Sequence, residues 1–162
     1  MVGTDETRAA VMFIHYSTHV PVGLAEVEKR IDLIRGDLEE WADIAYREGE
    51  QLRSKVGPIE GLAKSVSLEI GMAEIHRSGL VYPIKWTASG ASALFPELNA
   101  DLALSQMGQS MTGLSLDGTY EPPLGVVGRL ADRVVLGRVA DATVRDWMDR
   151  LAEAVVSNHR AA

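Results

Sequence analysis

The sequence predicts an α+β protein: a curved antiparallel β-sheet, two helices after the first strand, and a long C-terminal helix packed in the sheet. Three observations predict it. A period-two alternation opens the chain, two hairpin patterns occupy its middle, and an amphipathic run follows Pro122-Pro123 to about Val156. Strand-rich segments followed by a long helix give this layered class, because the sheet and the helix must each bury an apolar face.

Residues 1–9 read as a flexible polar tail, and residues 10–158 as one domain. From Ala10 to Val20, Met12, Ile14, Tyr16, Thr18 and Val20 share one parity, while Val11, Phe13, His15, Ser17 and His19 share the other. That is a first strand, ended by Pro21, which cannot donate to a ladder. The period then becomes helical through Leu24, Val27, Ile31, Ile34 and Leu38, and onward through Trp41, Ile44, Ala45 and Leu52. Gly36-Asp37 reads as a break with Asp37 as an N-cap, giving helices over about 23–35 and 38–55. Gly57-Pro58 stops them.

Val66, Leu68, Ile70 and Met72 share a parity, and after Ser78-Gly79 so do Leu80, Tyr82, Ile84 and Trp86. A second hairpin turns at Gly108-Gln109, with Leu102 and Leu104 before it and Thr112, Leu114, Leu116 and Tyr120 after it. Four strands are thus clear between the helices, with a short fifth near 93–98. The closing helix begins at about Gly125 or Val126 and carries a broad apolar stripe. Gly128 and Gly137 lie within it, as weak helix formers or as points of close packing.

At 162 residues the chain is long enough to bury a core without staples. It has no cysteine, which excludes disulfides, thiolate metal sites and cysteine nucleophiles. A net charge of -7 disfavours nucleic acid and anionic membranes as partners, since both require basic patches. The start of the chain has no signal-peptide pattern, and its apolar runs fall short of the ~20 residues that span a bilayer. A cytoplasmic protein without membrane insertion is expected.

The element order resembles the helix-grip fold of the START-like, or SRPBCC, superfamily, which includes birch-pollen-allergen-like proteins, lipid-transfer domains and polyketide cyclases. Local pieces add to it: Tyr82-Pro83-Ile84-Lys85-Trp86, Phe95-Pro96, and Gly118-Thr119-Tyr120-Glu121-Pro122-Pro123-Leu124-Gly125 look like segments of bacterial members. The resemblance implies a cavity between sheet and C-terminal helix that takes a hydrophobic small molecule, of lipid or polyketide kind, with a carrier or sensor role. No cofactor is implied.

Within that frame, Met72, Met107 and Met111 are adaptable side chains suited to a variable guest, or ordinary core filling. Tyr82, Trp86 and Tyr120 carry polar handles on apolar bodies and are candidate ligand-binding residues. Glu74 and His76 continue the parity of Met72; facing inward they form an acid/base pair, and facing outward a solvated hairpin end. His15 and His19 share a parity, but no third ligand has metal-site spacing, so no metal is assigned. Two alternatives stand beside the binding protein. One is a cyclase or dehydratase using polar groups of the same cavity. The other is an interaction module or homodimer whose helix grips a partner.

Overall fold

Strand, long helix, five strands, long helix is the order found in the computed structural model of the chain. It describes residues 11–54, 65–89, 97–120 and 130–160. The tail, the Gly57-Pro58 stop, Phe95-Pro96 and the double proline before the last helix lie outside the described residues.

The strands are β1 (Met12–Val20), β2 (Ser65–Ile70), β3 (Glu74–His76), β4 (Gly79–Ser89), β5 (Leu98–Gln106) and β6 (Thr112–Tyr120). All pairings are antiparallel, in the order β1-β6-β5-β4-β2, with β3 on β4 beyond the end of β2. The first strand therefore closes against the last, and β2 and β3 share the opposite edge. Most of the expected short strand near 93–98 lies outside the described residues, and Leu98 begins β5. A short strand that the alternation did not separate from β2 is β3.

The alternation of β1 falls as expected, with Ile14 and Val20 buried and Phe13, His15 and His19 exposed. Register converts that parity into rows across the inner face. Tyr82, Leu102, Leu116 and Tyr16 form one row, and Trp86, Leu98, Tyr120 and Met12 another. Between them run Ile84, Ala100, Gly118 and Ile14. This middle row is narrow. A Cβ on Gly118 would stand 2.7 Å from the Ala100 Cβ and 2.9 Å from the Asn99 carbonyl oxygen.

Helix α1 runs unbroken over Leu24–Ser54, so the two helices expected after β1 are one. The reason is phase. Val27, Ile31, Ile34, Leu38, Ala42 and Ala45 are all buried at steps of three and four, so the apolar stripe crosses Gly36 without slipping. Gly36 and Asp37 fall on the exposed side, where a Cβ at Gly36 would meet nothing within 4 Å. A mid-helix glycine costs about 1 kcal/mol, while each large apolar side chain buried on the stripe returns about 1.5–3 kcal/mol.

Helix α2 (Leu130–Arg160) lies antiparallel to α1. The direction follows from two contacts: the Trp147 indole N–H donates to the Leu38 carbonyl at 3.1 Å, and the Arg30 guanidinium donates to the Val155 carbonyl. Arg30 is almost wholly buried in this seam and also donates to Glu26 at 2.8 Å, as buried charges require. The helix pair forms one layer over the inner face, α1 packing against β2 and α2 against β1. Trp86 of the sheet meets Trp147 of α2 edge to face, centroids 6.0 Å apart, a favoured aromatic geometry.

Candidate functional site

The structure divides the residues singled out in the sequence into two groups. Tyr82, Trp86 and Tyr120 are buried on the inner face, as their parity predicts. The three methionines are not. Met72 is 84% exposed, and Met107 and Met111 are also exposed. The ladder explains the difference. β2 ends at Ile70, so Met72 lies in the Gly71–Ala73 link between two strands and no longer follows the alternation. Met107 lies just beyond the last paired residue of β5, and Met111 just before the first of β6.

Glu74 and His76 take the solvated of their two readings. β3 is an edge strand all of whose residues are exposed. Their Oε2 and Nε2 atoms are 3.6 Å apart in solvent, where an ion pair contributes about 0–1 kcal/mol. An inward acid/base pair is not formed. His15 and His19 are exposed on the outer face, where His15 Nδ1 meets Asp117 Oδ1 at 2.5 Å. Among the described residues no group of three or more His, Asp or Glu side chains could hold a metal.

The inner-face tyrosines differ in what they meet. Tyr16 donates to Asp149 of α2 at 2.5 Å, which raises its pKa. Tyr120 packs under α2 at Gly137, where a Cβ would stand 3.2 Å from its hydroxyl and 3.3 Å from Met12 Cε. Gly137 is thus a point of close packing. Burial, then the nearby Asp141 charge, raises the Tyr120 pKa. Gly128 lies outside the described residues.

Tyr82 is only 1% exposed, and its hydroxyl has no hydrogen-bond partner. Desolvation, followed by the charges of Asp32 and Glu28, pushes its pKa up to about 12, against a lowering contribution from Arg35. These three residues follow one another along α1 at i, i+4 and i+7, and so share a face. Arg35 reaches over to the sheet: its Nη2 donates to the Gly71 carbonyl at 2.5 Å, and the Gly71 N–H donates to the Pro83 carbonyl at 2.7 Å. The guanidinium is thereby anchored beside the strand that carries Tyr82. Its Nε is buried with no hydrogen-bond partner. Two unpaired buried polar atoms thus stand on facing elements, and such groups call for a physical explanation. Sequence reasoning found Tyr82 and missed Glu28, Asp32 and Arg35, whose polar i, i+4, i+7 spacing was the available signal.

A hollow of about 680 Å³ opens next to this cluster. It lies between the start of α1 and the β3–β4 hairpin, with Leu24, Glu28, His76, Arg77 and Leu80 in its wall. Leu80 is two residues from Tyr82 on the same face, so Tyr82 lies one row behind the wall. A second hollow of about 680 Å³ lies on the outer sheet face, bordered by Phe13, Pro83, Asn99, Asp101, Asp117 and Thr119. Between Trp86 and Trp147 the layers are in direct contact.

No protein-family model matches the chain, and no curated protein matches it in sequence. Solved structures match its shape. A conserved protein from Geobacillus kaustophilus aligns with TM-score 0.55 and 12% identity, covering 90% of this chain and 96% of that one. A protein from Thermus thermophilus aligns with TM-score 0.52 and 12% identity, covering 91% and 99%. Such identities speak to fold alone. With β1 closing on β6, the sheet curving under a long C-terminal helix and Trp147 seated against it, this chain has the helix-grip fold.

Proposed function

We propose that the protein binds a small apolar molecule, of lipid or polyketide kind, as a carrier or sensor. The molecule enters beside the β3–β4 hairpin and lodges between the sheet and the helix layer. One observation carries the reading: the Tyr82 hydroxyl, fully buried and without a partner. Leaving such a group unpaired costs about 1–3 kcal/mol, a cost that a guest with a hydrogen-bonding group removes. The apolar rows around it supply the rest of a pocket, and the hollow outside Leu80, whose wall mixes Leu24 and Leu80 with Glu28, His76 and Arg77, supplies the way in.

Native mass spectrometry of the purified protein, with extraction of the apolar fraction, tests this directly. A retained guest, or saturable quenching of tryptophan fluorescence by added apolar probes, is the expected result. A protein that retains no guest and binds no probe refutes the proposal.

A further inference from the structure

The guest's polar group follows from the donors around Tyr82, and this step rests on the binding reading above. We infer that Tyr82 and Arg35 recognise a neutral hydrogen-bond acceptor, a ketone, ester or amide carbonyl, in preference to a carboxylate. The available groups are a phenol O–H and a guanidinium Nε–H, both buried and both unpaired. At neutral pH the guanidinium can only donate, and the phenol is protonated and also donates. A carbonyl oxygen has two lone pairs and satisfies both. An ammonium group cannot accept from Arg35.

Desolvation decides between a carbonyl and a carboxylate. The Tyr82 hydroxyl and the Arg35 Nε are both buried away from water. Arg35 also already donates to the Gly71 carbonyl at 2.5 Å. An incoming carboxylate must give up its water to reach these atoms, whereas a carbonyl carries no charge to desolvate. Arg35 then acts as a fixed donor rather than an anion receptor, its fork held to the β2–β3 link. Sequence spacing alone does not show this, since Arg35 comes beside the strand of Tyr82 only through the docking of α1 on the sheet.

The test uses 2-octanone, octanoate and n-octane, matched in chain length, with binding read by tryptophan fluorescence. The wild-type protein is expected to bind 2-octanone about tenfold or more tightly than either of the others, the worth of about one buried hydrogen bond. Tyr82→Phe, which retains ring and volume, is expected to lower ketone affinity severalfold towards that of octane and leave octane affinity unchanged. Arg35→Lys, which keeps the charge but lacks the Nε donor, should give the same loss. An unchanged circular dichroism spectrum and melting temperature, or a higher one for Tyr82→Phe, establishes that both variants fold. Equal binding of all three probes, tighter octanoate binding, or ketone binding indifferent to both variants overturns the carbonyl assignment and leaves apolar binding standing. Binding of none of the three overturns the binding reading and this inference together.

Discussion

Tyr82 fixes the chemistry of the interior at the scale of one atom. A buried hydroxyl without a partner is a standing cost to the unliganded fold, so Tyr82→Phe is expected to stabilise the protein by about 1 kcal/mol, measured by urea unfolding. The same residue governs behaviour in alkali. Its pKa rises from about 10 in the unfolded chain to about 12 in the fold. Below pH 10 both states hold the proton and stability is intact. Between about pH 10 and 12 the unfolded chain loses the proton while the fold keeps it, so stability falls as pH rises. Tyrosine ionisation followed by absorbance should lag behind that of free tyrosine in this window, and Tyr82→Phe should remove the latest component. Gly118 is a strict glycine of the inner sheet face. Its missing Cβ would strike a neighbouring Cβ and a backbone oxygen at under 3 Å, so Gly118→Ala is expected to cost about 1–3 kcal/mol, read from thermal unfolding.

The helix pair is the element that most changes the picture. An unbroken α1 of 31 residues reaches far enough to pair antiparallel with α2. Together the two helices cover the inner sheet face. Gly36 is a passenger in this helix, and its open surroundings make Gly36→Ala stabilising by about 0.5–1 kcal/mol. Trp147, by contrast, ties layers together. It bonds Leu38 of α1 through its indole nitrogen and packs on Trp86 of the sheet. Trp147→Ala removes both links and should cost about 3–5 kcal/mol. If chemical denaturation shows a loss of less than about 1 kcal/mol, below the range for such truncations, the layers are not locked together at this residue. Exposed pairs such as His76–Glu74 contribute little by comparison, because solvent screens them.

For the whole molecule, the sheet supplies one wall and the helix layer the other, and the accessible end lies where α1 starts beside the β3–β4 hairpin. A guest there should be sensed by the tryptophans, since Trp86 lies on the inner face two rows along β4 from Tyr82. Among the described residues, no helix is long and apolar enough to cross a membrane.

Local periodicity was enough to read the strand parities, the hairpin at Gly108-Gln109, the inward set of Tyr82, Trp86 and Tyr120, and the element order of the fold. Side-chain burial enforces such periodicity residue by residue, so it is written along the chain. Reading it failed where a local sign was outweighed or ran out. Gly36-Asp37 looks like a break because glycine weakens a helix, yet the stripe buried on either side holds the helix together. Met72 looks inward because an alternation extends to it, yet the β2 ladder ends at Ile70, and Glu74 and His76, whose parity left both faces open, resume pairing as the exposed edge strand β3. The row of Glu28, Asp32 and Arg35 along α1 is written in the sequence, but its place near Tyr82 is visible in three dimensions alone. The row and Tyr82 belong to different elements, and their approach is set by the way a helix docks on a sheet, which no periodicity along the chain encodes.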